Sequence, residues 1–170
     1  MIDIDHPESP QIVGSVGTPG LAIGVAVSGA YAYVADWWYS GLQVVDISDP
    51  ANPHIAAHLD TPGDALGIDV SGDHAFIADG VAGLQVVDIT NPMDPHLTGN
   101  ICTPGCARKV VIDDSYAYVA DDGSGLQVID ISDPASPRIV GCLDTPGNAT
   151  GVAVMGAYAI VSDGWEGLQM

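Results

Sequence analysis

Short apolar runs recur along the whole chain, separated by clusters of Gly, Pro, Ser and Asp. Gly24-Val25-Ala26-Val27 is followed by Tyr31-Ala32-Tyr33-Val34-Ala35 and then by Leu42-Gln43-Val44-Val45-Asp46-Ile47. A shorter and more polar run, His54-Ile55-Ala56-Ala57-His58-Leu59, completes the set. Each run has strand length, and no segment carries a helical period, so the pattern predicts strands throughout. Ser28-Gly29, Ser71-Gly72 and Asp113-Asp114 predict tight turns between first and second strands. Ser48-Asp49-Pro50, Thr90-Asn91-Pro92 and Ser132-Asp133-Pro134 predict the links between third and fourth strands, where Asp or Asn bonds its own backbone and Pro fixes φ.

The set repeats. Thr-Pro-Gly begins at Thr18, Thr61, Thr103 and Thr145, with spacings of 43, 42 and 42 residues. Gly-Leu-Gln begins at Gly41, Gly83, Gly125 and Gly167, with a constant spacing of 42. Inner strands are apolar on both parities, so both faces of each small sheet are covered and the sheets must stack face to face. Four-stranded sheets with this period describe the blades of an all-β propeller, whereas β-solenoid coils are much shorter. The expected architecture is one domain over residues 1–170, with blades at 18–60, 61–102, 103–144, and 145–170 together with 1–17.

The third strands carry a resemblance. Leu42-Gln43-Val44-Val45-Asp46, Leu84-Gln85-Val86-Val87-Asp88 and Leu126-Gln127-Val128-Ile129-Asp130 resemble the LVIVD repeat, as do the trailing stretches Ser48 to Pro53 and Ser132 to Pro137. The resemblance runs the length of the chain in register. It implies a propeller, and an extracellular or cell-surface setting in bacteria or archaea; it implies no defined activity. Proteins of this kind usually carry more than four repeats.

Gly167 to Met170 align with Gly41 to Val44, and Met1 to Ile4 align with Val44 to Ile47, so both ends fall at one phase of the repeat. The segment Met1 to Gly17 is therefore expected to supply the missing outer strand of an incomplete blade. One chain closing on itself as a four-bladed ring satisfies this, and so does a homodimer closing head to tail as an eight-bladed ring. Val25, Val27, Ile68 and Val70 are bulky for the axis of four blades, which favours the dimer.

The formal charge of −19, with Arg108, Lys109 and Arg138 as the three basic residues, excludes a nucleic-acid partner and an anionic membrane surface. No apolar run is long enough to span a bilayer, and the start of the chain lacks the basic and apolar regions of a signal peptide. Cys102, Cys106 and Cys142 form no metal-ligand pattern; the reading of isolated thiols stands beside that of a Cys102–Cys106 bridge.

Chemistry is expected in the links between second and third strands, which vary most among the copies. Trp37, Trp38 and Trp165, the three tryptophans of the chain, all lie there, and with Tyr39 and Glu166 they form the candidate surface for a protein or glycan ligand. Asp36, Asp79, Asp121 and Asp163 recur in every copy. They read either as a ring of carboxylates able to hold Ca²⁺ or as a structural device of each blade, bonding turn amides. Arg108-Lys109 replaces the usual start of the first strand in one blade and is expected either to bind an anion at the axis or to pair with nearby Asp residues, Asp69 foremost. Nucleophile, zinc and phosphate-loop motifs are absent, and His54 and His96 share an outer-strand position, so a non-catalytic binding scaffold is the expected function. The alternatives are a purely structural self-assembling module, natural or designed, and a divalent-metal-assisted glycan hydrolase or lyase using Asp36 and Asp163.

Overall fold

Two-residue turns set the sheets of this computed structural model, which describes residues 1–38 and 40–170. The elements are β1 (Ile2–Asp3), β2 (Gln11–Ile12), β3 (Leu21–Ser28), β4 (Tyr31–Trp37), β5 (Leu42–Asp46) and β6 (His54–Leu59). They continue with β7 (Gly67–Ser71), β8 (His74–Ala78), β9 (Leu84–Asp88), β10 (His96–Ile101), β11 (Lys109–Asp113) and β12 (Tyr116–Ala120). The last are β13 (Leu126–Asp130), β14 (Arg138–Leu143), β15 (Gly151–Met155), β16 (Tyr158–Ser162) and β17 (Leu168–Gln169), with a single 3-10 turn at Gly164–Glu166.

Strands β3 to β6, β7 to β10 and β11 to β14 form three antiparallel four-stranded meanders, and β15 to β17 form a three-stranded fourth. In the first, Ser28 pairs with Tyr31, leaving Gly29 and Ala30 as the turn. The left-handed position of each such turn is taken by Gly29, Gly72, Asp114 or Gly156, at φ of 58°, 57°, 51° and 58°. After each third strand the carboxylate of Asp46, Asp88 or Asp130 accepts the amide of the residue two further on, at 2.8, 2.8 and 2.9 Å.

The sheets stack as propeller blades. Tyr33, Ala35, Leu42 and Val44 of the first blade pack on Ile68, Ile77, Val87 and Ile89 of the second. Phe76, Leu84 and Val86 of the second pack on Val110, Val119 and Ile129 of the third, and Ala120 and Leu126 of the third on Val152 and Val161 of the fourth. Strands β3, β7, β11 and β15 are the inner ones, each packed on the next.

The N-terminal hairpin stands apart from the fourth blade. β1 and β2 form their own two-stranded sheet and do not join β17. The hairpin lies instead over the open face of the first blade, where Met1, Ile2, Ile12 and Val16 line a cavity with Ala32, Val34, Val45 and Ile47. Its register, Ile2 with Ile12 and Asp3 with Gln11, reproduces that of Val45 with Ile55 and Asp46 with His54.

Candidate functional site

One end of the arc carries the links between blades together with the links between second and third strands. A recurring clamp joins the two sets. Asp36 accepts Thr18 Oγ1 at 2.8 Å and the Gly20 amide at 2.8 Å. Asp79 accepts Thr61 and Gly63 at 2.7 and 2.9 Å, Asp121 accepts Thr103 and Gly105 at 2.5 and 2.9 Å, and Asp163 accepts Thr145 and Gly147 at 2.5 and 3.0 Å. The Asp amides in turn donate to Gly41, Gly83, Gly125 and Gly167. All four Asp are fully buried. Burial pushes the Asp79 and Asp121 carboxyls above the usual range, against the pull of their Thr and Gly donors.

Asp36, Asp79, Asp121 and Asp163, expected either as a calcium ring or as a structural device of each blade, are each bonded to hydroxyl and amide donors. Each carboxylate has both oxygens filled by donors of its own blade, and the described residues hold no cluster of three or more His, Cys, Asp or Glu suited to an ion. Asp36 and Asp163, the carboxylates of the hydrolase alternative, are both closed off from solvent.

The recurring glutamines, which sequence reasoning left without a role, brace the variable links. Gln43, Gln85 and Gln127 are buried, and their Nε2 atoms donate to the carbonyls of Ser40, Ala82 and Ser124 at 2.6, 3.0 and 2.8 Å. Their fixed place as the second residue of a largely apolar strand was the available signal.

The variable links present the aromatic residues differently from one another. Trp37 ends β4 half-buried, its indole Nε1 enclosed without a hydrogen-bond partner among the described residues. Trp38 follows at φ 65° and is exposed, its ring centroid 5.4 Å from that of Trp37. Trp165 stands fully in solvent on the 3-10 turn with Glu166 exposed beside it, and Trp165 makes no ring contact with the other two. Tyr39 lies outside the described residues.

At the axis, Ile23, Leu66, Arg108 and Thr150 occupy one repeat position on the four blades. With Trp37, Asp64 and Cys106 they line an open pocket of ≈ 490 Å³. Arg108 donates through Nε to Asp122 Oδ2 at 2.8 Å, and Asn148 donates to the other oxygen. Burial would raise the Asp122 carboxyl, but its bonds to Arg108 and Asn148 outweigh that and hold it below the usual range. Asp69, the expected partner of Arg108, instead accepts the Ile112 amide of the next blade at 2.8 Å. Antiparallel bridges Gly80–Ala107 and Asp122–Ala149 carry the links of the second and third blades onto the following blade, the latter holding Asp122 beside Arg108. Cys102, Cys106 and Cys142 are all free thiols, so the Cys102–Cys106 bridge is not formed.

The LVIVD-repeat family model matches four consecutive segments, 19–61, 62–103, 104–145 and 146–170. No curated protein matches the chain. Among solved structures it is similar to the computationally designed Ika4 protein, at 10% identity and a TM-score of 0.75, over 94% of this chain and 96% of that one. It is also similar to the computationally designed Ika8 protein, at 7% identity and a TM-score of 0.71, over 86% of this chain and 44% of that one. At these identities the likeness concerns the fold alone.

Proposed function

The chain belongs to the LVIVD-repeat family, and from that premise we propose that it is a non-catalytic propeller scaffold whose axial loop face binds a glycan. The carrying observation is the pocket in which Trp37, Asp64, Arg108 and Thr150 converge from four different blades. An indole face suits the C–H face of a sugar ring, while carboxylate, guanidinium and hydroxyl groups suit its hydroxyls. Trp38, Trp165 and Glu166 extend the same face as exposed contacts. The buried state of Asp36 and Asp163 supports binding without turnover, as does the outer-strand position of His54 and His96.

A titration of this protein with a panel of mono- and disaccharides, followed by tryptophan fluorescence and calorimetry, tests the reading. A saturable response is expected, abolished in Trp37→Ala and weakened in Trp165→Ala, with the ligand recovered unchanged. A response that survives Trp37→Ala, or a hydrolysed ligand, would overturn it. The second reading, a structural module without ligand, draws on the commitment of the recurring Asp and Thr side chains and of the Gln Nε2 atoms to the scaffold, and it predicts no saccharide response.

A further inference from the structure

We infer, resting on the glycan reading, that the axial pocket takes a cationic amino sugar, a hexosamine whose free ammonium group is held between the Asp64 carboxylate and the Trp37 indole. Two repeat positions build the mouth of the pocket. Leu21, Asp64, Cys106 and Asn148 share one, and Trp37, Gly80, Asp122 and Gly164 share the other. Between the third and fourth blades these positions meet. Asn148 Nδ2 donates to Asp122, and the bridge from Asp122 to Ala149 keeps the two links together. Trp37 of the first blade stands to Asp64 of the second in the same repeat relation, and both line the pocket.

The charges of the pocket do not cancel. Asp64 is partly exposed, and among the described residues its carboxylate makes no hydrogen bond and no ion pair. Gly80 lies against it, where a Cβ would stand 3.4 Å from the Asp64 Cβ, and has no side chain to offer. Arg108, the cation of the pocket, is already committed, since Nε and Nη2 both donate to one oxygen of Asp122. Two carboxylates thus face one guanidinium. The Cys106 thiol on the same wall responds to that balance: burial pushes it up, Arg108 draws it down, and Asp122, Asp121 and Asp64 push it up again. The formal charge of −19 adds a field that concentrates cations in such a cleft.

An ammonium group suits these walls. A carboxylate takes it as an ion pair, and an indole face attracts it through the ring quadrupole. Ile23 and Leu66 give a sugar ring apolar cover, and the Thr150 hydroxyl gives it a polar contact. A sugar acid would meet a guanidinium already bonded and two carboxylates of its own sign. An N-acetylated sugar brings no charge for Asp64. A linear amine brings the charge but no ring for the indole and the apolar wall.

Calorimetry at low salt tests the assignment with five probes: a glucosamine disaccharide, its N-acetylated form, a neutral glucose disaccharide, a uronate-bearing disaccharide, and putrescine, a diamine without a ring. The glucosamine disaccharide is expected to bind roughly five-fold or more tighter than each of the others. That margin should shrink as salt is raised. Asp64→Asn, with an unchanged far-ultraviolet circular dichroism spectrum, should bring the glucosamine disaccharide down to the level of the neutral one. Arg108→Gln, which releases Asp122, should tighten it further. Equal or tighter binding of the neutral, N-acetylated or uronate probe would overturn the amino-sugar assignment and leave the glycan reading standing. Putrescine binding as tightly as the glucosamine disaccharide would overturn it too, as would a preference that survives Asp64→Asn. No response to any saccharide would overturn both.

Discussion

Thr103 Oγ1 donates to Asp121 Oδ1 at 2.5 Å across 18 residues of chain, and the equivalent bond ties Thr18 to Asp36, Thr61 to Asp79 and Thr145 to Asp163. Each pair fastens the link entering a blade to the link between its second and third strands. The aspartates have no solvent contact. In such surroundings a charge is retained only when donors surround it, and a donor left over is costly.

Asp121→Ala leaves the Thr103 hydroxyl and the Gly105 amide without their acceptor. The expected cost is roughly 2–4 kcal/mol of unfolding free energy. Asp121→Asn keeps an acceptor for the Gly105 amide, and the Thr103 hydroxyl can turn to accept from the new amide group, so about 1 kcal/mol is expected. Urea unfolding of the two variants, compared with the native chain, checks the order.

The clamps also set the response to pH. Burial raises the Asp79 and Asp121 carboxyls, so the folded state holds those protons more tightly than the unfolded chain does. Their effect on stability is therefore most favourable below the raised values and declines as pH rises from the usual carboxylate value through them. Asp46, Asp88 and Asp130 shift the other way, held low by the Ser48, Thr90 and Ser132 donors; they stabilise above the usual value and lose that as pH falls through the lowered ones. Stability is expected to peak in the mildly acidic range. In unfolding curves taken from about pH 3 to about pH 7, Asp121→Asn should lose less relative to the native chain at the upper end than at the lower.

Chelation should leave the scaffold untouched. The carboxylate pairs that suggested calcium are filled by hydroxyl and amide donors. The melting temperature is expected to be the same with added calcium and with excess EDTA. A rise with calcium would place an ion among these loops.

The strands and the repeat were legible because both depend on local spacing. The fourth strand expected at His54 to Leu59 is the observed β6, and the third, expected at Leu42 to Ile47, is observed over Leu42–Asp46. Contacts between blades were not legible, since nothing local encodes which link reaches which neighbour. Arg108 meets Asp122 because the bridge from Asp122 to Ala149 carries that link over the next blade, while Asp69 is turned toward the Ile112 amide. The recurrence of Asp36 and its counterparts was visible, but their Thr and Gly partners 16 to 18 residues upstream, such as Thr18 and Gly20, were not.

Glycine at the head of the third strand answers to two constraints at once, unlike glycine in the hairpin turn. Gly83 has φ of 78°, and a Cβ there would lie 2.3 Å from the Ile101 carbonyl and 2.6 Å from the Thr103 nitrogen. Gly72 has φ of 57° with open space around it. Gly72→Ala should cost about 1 kcal/mol, from backbone strain alone. Gly83→Ala should cost roughly 3 kcal/mol or more, because the Ile101 and Thr103 backbone must also move. Paired chemical unfolding of the two variants separates strain from collision.

Arg108 lies at the axial mouth, and its effect on Asp122 can be read without any ligand. Its guanidinium and the Asn148 amide hold the Asp122 carboxyl below the usual range despite burial. Arg108→Gln should move that carboxyl upward in a carbon-detected NMR titration. The Arg108 side chain is 43% exposed, so solvent screens the pair and the stability lost near neutrality should stay below about 1 kcal/mol. Because a lowered carboxyl stabilises above its usual value and loses that as pH falls, the difference between variant and native chain should shrink toward acid. An unmoved Asp122 titration would mean that Asn148 and the buried link, and not Arg108, govern the charge at the axis.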